Sequence, residues 1–406
     1  MTFTISHKSP LIFFLLFFLS TQNDLNAQLI DVSSDVNLLT DHTGGYLGSG
    51  VSFVDFNLDG FDDLTFGHHE GEIKFYPGNG TSFEEVDLAI NTEGFEAKGI
   101  CWIDFDNDGD LDLFVANRLA PNKVWQNNCG VFTDISSSCG IAQTNSKSYG
   151  LSFGDYDNDG FLDFYICNYQ LSFDTGFENE LYHNNGDGTF ENVTEQAGVG
   201  NGLKQSFQSS WIDINNDGFL DLHIANDRHE FLNAFYINQG DGTFIDEAES
   251  LNTNVSALAM SSSFSDFDRD GDQDVFISNG LDGNIFLENR ILETGQFINI
   301  SPSYGTEINN YCWGAEWIDY DNDSWPDLHV SLGITVYTDY PEIIDDIPAV
   351  SDVFFLNNGF PPFGNGSFEI NDSPQHSFAV AQGDFNNDGV PDLVSHIIGE
   401  QASLYK

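Results

Sequence analysis

Short apolar runs rich in aromatic and β-branched residues recur along the chain, each broken off by polar turns: "LFVAN" at 113–117, "FYICN" at 164–168, "LHIAN" at 222–226 and "VFISN" at 275–279. Runs of this length and composition predict strands. Each follows an acidic loop, and a run of small residues precedes that loop. An aromatic stands two places before it in most units: Phe53, Trp102, Phe153, Trp211, Phe264 and Trp317. A hairpin follows, clearest in "ELYHNNGDGTFENVTEQAGV" (180–199) and "AFYINQGDGTFIDEAES" (234–250). There, β-rich runs flank Asn-Gly-Asp-Gly or Gln-Gly-Asp-Gly, a strong turn signal. Each unit therefore predicts four short strands, and no stretch carries helical periodicity.

The acidic loops begin at Asp55, Asp104, Asp155, Asp213, Asp266, Asp319 and Asp384. Seven four-stranded units at a period near fifty residues predict an all-β, seven-bladed β-propeller with antiparallel blades. The two ends of the chain fit one unit. "ASLYK" (402–406) reads like a third strand, and "AQLIDVSSDVNL" (27–38) like a fourth. The N- and C-terminal strands are thus expected to pair and close the ring. Blade 7 would comprise 376–406 plus 28–40, leaving no free edge between the first and last blades.

Composition narrows the chemistry. The 406 residues hold 65 Asp and Glu against 11 Lys and Arg, a net charge of −54. Such a surface disfavours nucleic acid and anionic membranes as partners and favours cations. The opening "MTFTISHKSPLIFFLLFFLSTQNDLNAQ" has a head with Lys8, an apolar run Leu11–Leu19 and a polar stretch ending at Ala27. That order predicts a secretory signal over 1–27, cleaved near Ala27, and a mature propeller over 28–406. The run is too short to span a bilayer. The mature chain is expected to be exported, soluble and monomeric. Of five cysteines, Cys129 and Cys139 are expected to form a disulfide, and Cys101, Cys167 and Cys312 to be buried thiols.

The loops read D-x-[DN]-x-D-G-x-x-D. The candidate ligands are Asp55, Asn57, Asp59 and Asp63 in loop 1; Asp104, Asp106, Asp108 and Asp112 in loop 2; and Asp155, Asp157, Asp159 and Asp163 in loop 3. Loop 4 offers Asp213, Asn215, Asp217 and Asp221, and loop 5 Asp266, Asp268, Asp270 and Asp274. Loop 6 offers Asp319, Asp321, Asp323 and Asp327, and loop 7 Asp384, Asn386, Asp388 and Asp392. Alternate residues put three hard oxygens on one side of a tight turn, Gly at position six relieves the bend, and position nine closes the shell. That donor set suits Ca²⁺. An EF-hand would need Glu at position twelve, where these loops have Phe66, Val115, Ile166, Ile224, Ile277, Val330 or Ser395. Up to seven Ca²⁺ are expected, loop 319–327 being the weakest because Ser324 replaces Gly.

Aromatic-x-Asp-x-Asp-x-Asp-Gly-x-x-Asp units with a downstream "LYxNNGDGTFxxVT"-like hairpin resemble FG-GAP/VCBS repeats. These build the calcium-bearing propeller of integrin α-subunits, and this version is most similar to the cartilage acidic protein group and its bacterial relatives. The resemblance implies Ca²⁺ between the first and second strands of each blade. It covers nearly the whole mature chain, without the Gly-Ala-Pro element and without an appended C-terminal module.

Two unit spacings are long because of insertions at 169–180 and 333–352, after the second strand. Both would decorate the face opposite the acidic loops. The expected contact residues are Tyr169, Phe173, Phe177, Tyr337 and Tyr340, with Arg118, Arg228 and His229. The functional expectation is an extracellular binding or adhesion scaffold for a protein or glycan. The alternatives are a lectin-like propeller and a polysaccharide lyase. No nucleophile, base or phosphate-loop constellation can be assembled, and "GHHEG" (67–71) reads as a turn device.

Overall fold

The computed structural model describes residues 29–40, 48–68, 72–169, 176–333, 350–364, 368–397 and 401–406. The predicted signal at 1–27 lies outside them. Seven antiparallel sheets follow one another along the chain, each with its strands in sequence order. Their first strands are Val51–Val54, Ala97–Ile103, Ser148–Gly154, Ser206–Ile212, Ser262–Ser265, Cys312–Ile318 and Ser377–Gly383. Each lies against the first strands of the two neighbouring blades, and the last against the first, so the inner strands form a closed ring. The acidic loops join these to second strands that open on Asp63, Asp112, Asp163, Asp221, Asp274, Asp327 and Asp392.

Blades 2 to 6 have four strands, and blades 1 and 7 have three plus isolated bridges. In blade 1 the outer edge is bridged by Phe75–Val86 and Gly78–Phe83. In blade 7 it is made by the chain's other end. Asp31 pairs with Tyr405, Ile30 and Lys406 exchange backbone hydrogen bonds, and Val32 donates to Leu404. This is the terminal closure that the sequence predicts. Among the described residues, no helix is long and apolar enough to cross a membrane.

The apolar alternation of the strands becomes a set of cores between blades. Buried side chains gather into one cluster at each blade junction and one on the axis. The aromatic before six of the loops packs toward the preceding blade: Trp102 stacks on Phe56 at 4.7 Å, Trp211 on Tyr156 at 6.2 Å and Trp317 on Phe267 at 6.3 Å. Burying one such ring stabilises by about 2–3 kcal/mol, so the junctions carry much of the fold.

The axial cluster has a periodic origin. Six places before each loop stand Ser49, Lys98, Tyr149, Phe207, Met260, Trp313 and Phe378. In five blades the ladder breaks at this residue, skipping Lys98, Tyr149, Phe207, Trp313 and Phe378. A bulge re-aims a side chain, and here the ring residues line a cavity of ≈ 310 Å³ at the end away from the acidic loops.

The expected Cys129–Cys139 disulfide is not formed. Cys129 is exposed in a turn at φ 52°, whereas Cys139 is buried in the core between blades 2 and 3. One sulfur faces water and the other the core.

Candidate metal centre

Loops 1 to 4 and 7 are held by their own carboxylates in the same way, whereas in loop 6 Asp319 keeps only the bond from Ser324 N–H and in loop 5 Asp266 Oδ1 has no donor. Position one accepts the N–H groups of positions five and six: in loop 3, Asp159 N–H reaches Asp155 Oδ1 at 3.0 Å and Gly160 N–H reaches Oδ2 at 3.0 Å. Position five accepts from position seven, as Phe161 N–H does to Asp159 Oδ1 at 2.9 Å. Positions four and six are left-handed. Position six is Gly in six loops, with φ from 81° to 99°, and Ser324 at 72° in loop 6. Position four is Leu58, Asn107, Asn158, Asn216, Arg269, Asn322 or Asn387, all with φ of 55–61°. Asn tolerates that region better than most residues, which accounts for its recurrence there.

The ninth Asp does more than close a shell. In loop 3 Asp163 Oδ2 accepts Tyr156 N–H at 3.2 Å, and Oδ1 accepts Asn184 N–H at 2.8 Å from the end of the third strand. The second bond recurs as Asn127 to Asp112, Asn238 to Asp221, Asn289 to Asp274 and Asn357 to Asp327, at 2.7–2.8 Å. The Asn side chain then ties blades together: Asn184 Nδ2 donates to Phe105 O, Asn238 Nδ2 to Tyr156 O and Asn357 Nδ2 to Phe267 O, each at 2.8 Å. Sequence reading overlooked these asparagines, although the repeated Asn in "LYHNN" and "FFLNN" carried the signal.

Adjacent loops also touch. Asn107 Nδ2 donates to Gly160 O at 3.1 Å, Asn158 Nδ2 to Gly218 O at 2.9 Å, and Asn387 Nδ2 to Gly60 O. Where Arg269 replaces Asn, its guanidinium lies over the Trp325 ring of the next loop, 4.4 Å from the centroid.

The carboxylates converge without enough donors. Ligand atoms lie within 4.8 Å of one another for Asp104, Asp106 and Asp108; for Asp155, Asp157 and Asp159; for Asp266, Asp268 and Asp274; and for Asp319, Asp321 and Asp327. These clusters could hold a metal, and loop 6 is among them despite Ser324. The ninth Asp is buried in all seven loops. Desolvation pushes Asp63, Asp112, Asp221, Asp327 and Asp392 up to about 7 and Asp274 up to about 9; Asp163 moves the same way. Backbone N–H donors offset only part of this cost. Asp266 Oδ1, Asp274 Oδ2, Asp319 Oδ1 and Asp392 Oδ1 are buried with no hydrogen-bond donor. Leaving such an oxygen unsatisfied costs about 1–3 kcal/mol. A divalent cation is the species that these residues fit.

The opposite face differs from expectation. Tyr169 is buried, and its hydroxyl donates to Asp227 Oδ2 at 2.6 Å, so it belongs to the axial cluster and not to a contact surface. Arg118 is bound to buried Glu96 at 2.8 Å, and Arg228 to Asp227 at 2.7 Å. His229 and Phe177 are exposed, whereas Phe173, Tyr337 and Tyr340 lie outside the described residues. In the cavity, burial lowers the Lys98 ammonium to about 8, although Glu96 Oε1 stands 2.7 Å away. At the second-strand exits, Asn117, Asn168, Asn226 and Asn279 each accept a turn into the ladder, their N–H groups donating to Asn122, Asn179, Asn233 and Asn284.

Comparison with known proteins agrees with this architecture. The FG-GAP-like repeat matches residues 55–115, 104–166, 171–224, 213–277 and 266–330. No curated protein matches the chain. Among solved structures, it resembles BBS1N in complex with ARL6DN, soaked with lead, with a TM-score of 0.54 and 10% identity over 93% of this chain and 96% of that one. The mercury-soaked form of the same complex has a TM-score of 0.54 and 10% identity, covering 91% and 92%. At that identity the likeness concerns the fold alone.

Proposed function

The chain belongs to the FG-GAP-like repeat family, and on that footing we propose that it is an exported, calcium-bound propeller that captures a macromolecular partner and catalyses no reaction. The observation that carries the calcium reading is the set of buried carboxylate oxygens without donors, above all Asp274 Oδ2 in a residue only 1% exposed. An N–H group could have satisfied each, as Tyr156 N–H does at Asp163. Hard oxygen donors repeated around one face suit Ca²⁺, at about 2.3–2.6 Å from each. The ligands in each loop are positions one, three, five and nine. Calcium there would neutralise the clusters and fasten each first strand to its second.

The scaffold reading rests on the division of labour between faces. One is filled by acidic loops that bind each other, and the other carries the axial cavity and exposed Phe177 and His229. A propeller of the same fold, BBS1N, is found in complex with ARL6DN, which favours a protein as the partner class here. A glycan is the alternative ligand.

Native mass spectrometry of chelator-treated chain titrated with Ca²⁺ tests the first half: stepwise addition of several ions with a rising melting temperature is expected, and no bound ion would overturn it. Immobilised extracellular proteins and glycans, screened with and without Ca²⁺, test the second half. Binding that Phe177→Ala and His229→Ala leave untouched would move the contact away from that face.

A further inference from the structure

The seven loops share four ligand positions but differ at a fifth, on the third strand directly across from the ninth Asp. Continuing the pairings Leu113–Trp125, Phe164–Tyr182 and Leu393–Tyr405 by one place sets Gln126, His183 and Lys406 opposite Asp112, Asp163 and Asp392. These three side chains reach the loop. Gln126 Nε2 donates to Asp106 Oδ2 at 2.6 Å, and Lys406 Nζ lies 2.5 Å from Asp388 Oδ2. In loop 7 the chain's own ammonium therefore pairs with the position-five carboxylate. That marks this position as one that addresses the ion site.

His183 addresses it with a lone pair. Its Nδ1 is 3.2 Å from Asp163 Oδ1 and 3.4 Å from Asp157 Oδ2, and its Nε2 is 4.0 Å from Asp159 Oδ2. Ligand atoms of Asp157, Asp163 and His183 all lie within 4.8 Å of one another. Despite those distances, Nδ1 is buried and makes no aligned hydrogen bond. Close approach without alignment is how two ligands of one ion stand, not a donor and its acceptor. Ligands about 2.1 Å from a common ion are separated by about 3.0 Å in an octahedron and about 3.4 Å in a tetrahedron, and the two shorter contacts fall in that range. Each oxygen of Asp163 accepts one backbone N–H and keeps a second lone pair. Tyr156 meets the imidazole edge-on, with centroids 6.3 Å apart, and fixes the ring.

We infer that loop 3 is a mixed nitrogen–oxygen site, built from Asp157, Asp163 and His183, that selects a divalent transition ion of the Zn²⁺ class over Ca²⁺. The choice follows from donor type. Imidazole suits Zn²⁺, Co²⁺ and Ni²⁺, whereas Ca²⁺ takes oxygen ligands. Pro77, Ile237 and Leu356 hold the same position in blades 1, 4 and 6 and bring no donor, and Glu288 in blade 5 brings another oxygen. The inference rests on the loops being cation sites, as proposed above, and exchanges calcium for the transition ion in loop 3 alone.

Cobalt(II) added to the calcium-saturated full chain provides the test. The wild-type chain should bind one Co²⁺ ahead of any other and give a visible ligand-field band. His183→Gln should lose the band and bind that ion at least about tenfold more weakly, since even outer-shell losses cost that much. His183→Cys should instead show a thiolate-to-cobalt charge-transfer band. An unchanged spectrum and affinity in His183→Gln, or a folded His183→Cys without the new band, overturns the proposal. Calcium-induced stabilisation measured on the same samples keeps the two readings apart. If it persists in His183→Gln while the cobalt spectrum is unchanged, only the His183 inference fails. Its absence from the wild-type chain rejects the calcium reading itself.

Discussion

The backbone N–H of Asn184 donates to Oδ1 of Asp163 at 2.8 Å, so the carboxylate that closes the third loop also anchors the third strand. The proposed metal site and the strand registry thereby share one side chain. Asp163→Ala leaves the N–H groups of Tyr156 and Asn184 buried and unpaired, at a cost of about 2–4 kcal/mol even in excess chelator. Asp159→Asn, altered at the exposed side of the same loop, should cost under about 1 kcal/mol in chelator and matter only with a divalent cation present. Urea unfolding of both variants in each condition checks the contrast; equal losses in chelator would refute it.

Calcium removal should lower the melting temperature most at low ionic strength, because the net charge of −54 and the clustered loops then repel unscreened. Each site held at one hundred times its dissociation constant contributes about 2.7 kcal/mol. The melting shift on chelation, measured across a salt series, should shrink as salt rises.

Ser324 occupies a left-handed position, φ 72°, that glycine holds in the other six loops. Ser324→Gly should stabilise the chain by about 1 kcal/mol, and Gly160→Ser should destabilise it by about 1–2 kcal/mol. Nothing contacts a Cβ added at Gly160, so the cost there would be conformational and not steric. Chemical denaturation of the pair should give opposite signs.

His223 is buried between Phe235 and Phe264, and desolvation lowers its imidazole from 6.5 to about 3. The folded chain therefore keeps it neutral while the unfolded chain takes up a proton below pH 6.5. The stability in question is present above that pH and falls by about 1.4 kcal/mol per pH unit as acid is added. In calcium-saturated protein, His223→Leu should flatten the fall in unfolding free energy between pH 6.5 and 4.5 by about 2–3 kcal/mol. Parallel slopes would exclude His223 as a source of acid lability.

The period of the loops and the alternation of the strands made the blade number, the antiparallel sheets and the terminal closure legible, because those features repeat in sequence as they do in space. The acidic positions were legible for the same reason. Three things were not. The Asn184 series was hidden because its role is to donate to groups distant in sequence, a carboxylate of its own blade and a carbonyl of the preceding one. The axial ring was hidden because bulges move Lys98, Tyr149 and Phe207 out of strict alternation. Tyr169 was misassigned to a surface because an aromatic at the start of an insertion reads alike whether it turns outward or, as here, toward Asp227.

The bulged ring residues also give a near-sevenfold body a heading. Ser49 and Lys98 are polar and sit on adjacent blades, while Tyr149, Phe207, Met260, Trp313 and Phe378 fill the remaining arc. The shaft is keyed like a slotted axle. A group placed on the axis would meet one polar arc, on the first two blades, and one aromatic-rich arc, so the seven blades are not equivalent to it.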